Sequence, residues 1–179
     1  SHAAEDLTRS LRPYRVGDPT RLIHWRTSAR YGELQVRELE VFTGSQEIII
    51  CLDSSTQWRF EDFEQAVIAA ASMYFYALHS QLNVKLWTPM AGLMQGNQVV
   101  LEALAATLAG EEAQVSVPSN LPLIWLTSNP ASLDILPAGS RWALWPLLDT
   151  DSAISVNGSH RGIVIDSTQT LQLQLQQSF

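Results

Sequence analysis

The sequence predicts an α/β domain whose mainly parallel central sheet is flanked by helices. Three observations carry that reading. Short apolar runs (Ile48-Ile49-Ile50, Val84-Lys85-Leu86-Trp87, Leu123-Ile124-Trp125-Leu126 and Trp142-Ala143-Leu144-Trp145) have the character of buried strands. Segments of helical spacing separate the first three of them. Strands alternating with helices pack through right-handed crossovers, and such crossovers join parallel strands.

At 179 residues the chain suits one domain with a core of its own. Hydrophobic residues make up 46% and charged residues 16%, which argues against disorder. No apolar run approaches the ~18–20 residues that cross a bilayer. A lone cysteine, Cys51, rules out an internal disulfide and fits a reducing compartment.

The elements follow in chain order. Asp18-Pro19 reads as a helix start, with Asp capping free amides and Pro at the first helical position. The expected helix runs from Pro19 to about Arg30 and stops at Gly32. Leu34 to Phe42 alternates with one slip, as an extended and perturbed segment does. Glu47 to Leu52 is the central strand, ending at Asp53. Phe60 to Leu82 is the clearest helix, with Phe63, Val67, Ala70 and Tyr74 at helical spacing. Val99 to Leu108 is a second helix, ended by Gly110. A loop is expected at Thr127–Pro130. In the tail, Gly162–Ile165 and the alternating Leu171, Leu173 and Leu175 suggest an edge hairpin, and the Gln-rich end equally suits a frayed terminus.

Charge is distributed unevenly. The net charge is −7, yet residues 1–40 carry Arg9, Arg12, Arg15, Arg21, Arg26, Arg30 and Arg37. Beyond them only Arg59, Lys85, Arg141 and Arg161 are basic, so the body is acidic. The arginines interleave with Tyr14, Trp25 and Tyr31, a mixture that suits nucleic-acid stacking. A pI near 4.9 opposes that, because an acidic body repels a long polyanion, and no nucleic-acid partner is expected.

Catalytic signals are few. Asp18 is occupied as the helix cap, and His24 lies nearly two turns from it. No G-x-S-x-G occurs and Cys51 sits inside a strand, so no activated nucleophile is evident. His2, His79 and His160 are scattered, without zinc spacing. Neither of the common phosphate-binding glycine motifs occurs. No enzyme activity, catalytic residue or organic cofactor is expected.

The pattern Arg12-x-Tyr14-x-x-Gly17-Asp18-x-x-Arg21-x-Ile23-His24-Trp25-x-x-x-Ala29-Arg30 resembles the signature of the bacterial domain-of-unknown-function family 58. Phe63-Glu64-Gln65-Ala66-Val67, opening the long helix, agrees with it. The resemblance implies a von Willebrand factor A-like (Rossmann-like) domain over residues 46–179. The Arg-rich motif segment, residues 1–45, would pack alongside it within one structural domain. It also implies a non-enzymatic interaction or scaffold module, an accessory of a MoxR-type AAA+ ATPase. Such proteins resemble membrane proteins of the cytoplasmic face of the bacterial inner membrane. They carry a short N-terminal hydrophobic hairpin that this chain lacks, so this stretch is expected to be soluble and to reach a membrane only through such a segment.

Asp53-Ser54-Ser55-Thr56-Gln57, directly after the central strand, is similar to the first loop of a von Willebrand factor A-type domain. There D-x-S-x-S offers an Asp and two hydroxyls to a divalent cation such as magnesium. Asp53 and Ser55 match, but Gln57 replaces the second Ser. Gly96-Asn97-Gln98 lacks the Thr of a second loop, and Thr127-Ser128-Asn129 offers Ser where Asp is usual. The alternative reading is therefore a divalent-metal- or anion-binding module with a degenerate metal-ion-dependent adhesion site. Loops at the carboxyl edge of the sheet are also where a partner would dock, with Trp58, Thr127 and Ser128 as candidate contacts.

Overall fold

A computed structural model describes residues 11–13, 35–37, 47–147 and 160–178. The chain divides into two compact units, Ser1–Gln46 and Glu47–Phe179. In the first, β1 (Leu11–Pro13) pairs antiparallel with β2 (Gln35–Arg37), with Arg12 opposite Val36. Strand β2 lies within the expected extended stretch. The expected helix at Pro19–Arg30 and the motif residues Tyr14, Gly17, Asp18, Arg21, His24, Trp25 and Arg30 lie outside the described residues.

The second unit contains β3 (Ile48–Leu52), α1 (Phe60–His79), β4 (Val84–Thr88), β5 (Gly92–Met94), α2 (Asn97–Ala106), β6 (Leu123–Thr127), a 3-10 helix (Pro130–Ile135), β7 (Arg141–Leu144), β8 (Arg161–Val164) and α3 (Leu171–Ser178). Its six-stranded sheet has the order β5-β4-β3-β6-β7-β8. All neighbours are parallel except β5, which runs antiparallel to β4. This is an α/β fold with a mostly parallel, Rossmann-like sheet.

Every residue of β3 is buried, as two covered faces require of a central parallel strand. On one face Ile49, Cys51, Trp87, Leu123, Trp125, Leu133, Trp142 and Leu144 form one apolar cluster. Trp87 and Trp125 stack within it, 5.9 Å between centroids. The alternate residues Ile50, Leu52, Leu86 and Leu126 point the other way and are fully buried. The buried side of α1 (Phe63, Ala66, Ala69, Ala70, Tyr74 and Ala77) is rich in alanine, which lets the helix backbone approach the sheet closely.

Several expectations are corrected. Helix α1 ends at His79, not Leu82. Gln81 takes a left-handed conformation (φ 61°), and the amides of Gln81 and Leu82 bond back to the carbonyls of Leu78 and Ala77. These are the two bonds of a Schellman stop, with Gln at the position usually held by Gly. Helix α2 runs Asn97–Ala106 and stops before Gly110, because Thr107 is already extended. A 3-10 helix follows Asn129, whose side chain caps the amide of Ala131 at 3.1 Å. Strand β5 was not expected, since three residues opening on Gly carry almost no period. The tail hairpin is also overturned: β8 joins the sheet parallel to β7, and Leu171–Ser178 is helical.

Candidate functional site

The chain leaves β3 toward β4 and β5 on one side, then returns to the other side of β3 to form β6. The carboxyl ends of β3 and β6 therefore flank the point where the strand order reverses. Open α/β sheets bind ligands in that crevice. Asp53 and Thr127 stand there side by side.

Each side chain is held by the register beneath it. The Asp53 amide donates to the Leu126 carbonyl at 2.9 Å, extending the β3–β6 ladder by one bond. The Thr127 hydroxyl donates to Asp53 Oδ2 at 2.7 Å and accepts from the Asn129 amide at 2.9 Å. Burial pushes the Asp53 carboxyl above the ordinary aspartate range, and the Thr127 hydroxyl pulls it part of the way back. Ser54 is fully buried, and its hydroxyl donates to Glu111 Oε1 at 2.5 Å. The Gly110 amide closes the same contact by donating to the Ser54 carbonyl at 2.7 Å. Ser128 donates its hydroxyl to the Gln57 carbonyl. The Trp58 indole donates to the Asp53 carbonyl at 2.8 Å and packs against Phe63 and Trp145, with centroids 5.5 and 5.7 Å away.

Three loops thus converge on Asp53 and Ser54: their own, residues 107–111, and Thr127–Asn129. The expected second loop, Gly96-Asn97-Gln98, is not among them. Strand β5 is antiparallel, so its end returns the chain to the amino edge of the sheet. There the Gln95 side chain bonds to Asn83, just ahead of β4. Helix α2 then climbs to the carboxyl edge and delivers Gly110 and Glu111. Reading residues 92–94 as a hairpin strand is the one signal that would have placed Glu111 here from the sequence.

Of the residues singled out beforehand, Asp53, Thr127, Ser128 and Trp58 share hydrogen-bonded loops, while Ser55 Oγ is buried without a partner. Thr127 and Ser128 are buried and their hydroxyls are engaged, so neither offers a side chain to a partner as it was expected to. Trp58 is half-buried and tied to the core. The exposed apolar side chains beside these loops are Phe60 (78%) and Leu108 (68%), neither singled out from the sequence. Among the described residues no three His, Cys, Asp or Glu side chains come together as a metal cage. The Asp53 and Glu111 carboxylates each already accept a hydroxyl proton.

The family model described as "Protein of unknown function DUF58" matches residues 10–101, from β1 through the first part of α2. The chain belongs to the DUF58 family. No curated protein and no solved structure matches it. The DUF58 match spans the Arg-rich motif, the central strand, the Asp53 loop and α1. Glu111 and Thr127 lie beyond it. Among the described residues no helix is long and apolar enough to cross a membrane.

Proposed function

We propose that this DUF58 domain is a non-enzymatic docking module for a protein partner, in a membrane-anchored bacterial protein acting as accessory to a MoxR-type AAA+ ATPase at the cytoplasmic face of the inner membrane. The observation that supports it is the closed bonding of the carboxyl edge. Asp53, Ser54, Thr127 and Ser128 spend their polar groups on one another's loops and on Glu111. Acids and hydroxyls that bond one another make this edge stiff, although Ser55 Oγ stays outside the network. Beside it Phe60 and Leu108 stand exposed, as anchors for a partner protein do. The von Willebrand factor A-like character of the fold belongs to the same reading.

The test is capture of the cognate MoxR-type ATPase by the full-length protein. Phe60→Ser with Leu108→Ser should weaken capture at least about tenfold, on the order of 1.4 kcal/mol, with unfolding unchanged. Undiminished capture by the folded double variant would reject this edge.

A second reading, a degenerate divalent-metal site, is favoured by one observation: Ser55 Oγ is buried without a hydrogen-bond partner next to Asp53. A hard cation prefers about six oxygens, and a lone Asp with hydroxyls supplies few. Calorimetric titration with magnesium or calcium should show no binding at physiological concentration. Micromolar affinity abolished by Asp53→Ala would establish the site.

A further inference from the structure

At the opposite edge of the sheet, the start of β7 and the start of β8 flank a half-open cleft of about 230 Å³ lined by Gly139, Ser140, Arg141, His160 and Arg161. We propose that this cleft is a phosphate site, taking inorganic phosphate or a small phosphomonoester. Arg141 and Arg161 are in-register neighbours on adjacent parallel strands, so their side chains leave the same face about 4.8 Å apart. Like charges placed opposite each other across a ladder destabilise it. Neither guanidinium is paired with a carboxylate among the described residues, although the chain carries a net charge of −7. An anion between the two forks removes the repulsion and satisfies donors that planar guanidinium groups direct to oxyanions.

A second donor is built into the wall. Ser140 is 2% exposed, and its Oγ accepts the Leu123 amide at 2.9 Å. The hydroxyl proton has no acceptor among the described residues and is free to donate. The backbone bearing His160 and Arg161 is fixed from the far face, where the Trp142 indole lies across Gly162 and donates to the His160 carbonyl at 3.1 Å.

Size and charge select the ligand. The volume falls below the ~300–1,000 Å³ of pockets for drug-sized ligands, so the occupant is small. Two guanidinium groups, a hydroxyl and an imidazole outnumber the two oxygens of a carboxylate and suit the several oxygens of phosphate. The acidic body disfavours approach of a polyanion or an anionic membrane, whereas a small mobile anion is little affected.

The test is calorimetric titration of the 179-residue chain with sodium phosphate and, separately, with phenyl phosphate, in chloride buffer. Saturable binding with Kd below about 1 mM is expected, weakened at least about tenfold by Arg161→Gln and by Arg141→Gln. Binding of phenyl phosphate alone would identify a phosphomonoester as the ligand; binding of both would identify the phosphate group itself. Backbone amide shifts on phosphate addition, confined to residues 139–141 and 160–161, support the site independently of whether either variant folds. Absence of saturable binding of both probes, or shifts scattered over other basic residues, would overturn it. So would binding to phosphatidylglycerol vesicles without binding of either soluble probe.

Discussion

The Thr127 hydroxyl reaches Asp53 Oδ2 across 2.7 Å and ties the ends of β3 and β6 together where the strand order reverses. The residues are 74 positions apart in sequence. The same oxygen that donates to Asp53 accepts the Asn129 amide, so one hydroxyl organises two of the three converging loops.

Thr127→Val keeps the shape of that side chain and removes both bonds. It leaves a carboxylate oxygen and a loop amide without their partner, which costs about 1–3 kcal/mol for a buried group. The urea midpoint should fall accordingly, and Thr127→Ser should restore most of the loss. Equal stability of Val and wild type would show that the contact carries no energy.

The Asp53 carboxyl sits above its ordinary range because burial disfavours its charge. The folded state therefore holds the proton more tightly than the unfolded chain. That contribution is fully present below the unfolded value of about 3.9 and is lost as pH rises through the folded value. Wild type should gain stability relative to Asp53→Asn as pH is lowered from 7 toward 4. Denaturant midpoints across that range check the sign. A difference that shrinks on acidification would mean the carboxylate is stabilised in the fold.

Cys51 lies fully buried in β3, and both burial and the nearby Asp53 charge push its thiol well above the usual range. Since the thiolate is the reactive form, alkylation should be negligible in the folded chain at neutral pH and rapid in urea. Fast labelling of native protein would indicate opening of the central strand.

Gly162 faces Trp142 across the β7–β8 ladder, and a Cβ there would come within 2.0 Å of the indole ring. Gly162→Ala should cost roughly 1–3 kcal/mol, as overpacking does, through displacement of β8. Intrinsic tryptophan fluorescence during urea unfolding reports both the loss and the changed indole environment. An unchanged midpoint would mean that β8 moves aside freely.

The α/β class and the positions of β3, β4, β6, β7 and α1 were legible in the sequence, because burial imposes local periods. The β-branched run Ile48-Ile49-Ile50 suits a fully covered strand, and the Phe63–Tyr74 spacing turns one face of a helix inward. The Asp53 loop was legible for the same reason, since it follows a central strand. Three things were not. The stop at Gln81 has no glycine to announce it. Strand β5 is held by its β4 partner rather than by its own residues, and without it the second loop is expected at Gly96. The tail, alternating in Leu and Gln, suits either a strand or a helix face, and Gln174 decides it. Its side chain accepts the Asp166 amide at 2.7 Å and donates to the Asp166 carbonyl at 2.9 Å, fixing the turn into α3. The sequence by itself determined the central strands and the long helix, whose inward-facing apolar residues are buried. Only the tertiary structure decided which loops meet, because strand order and direction follow from long-range pairing that no local period records.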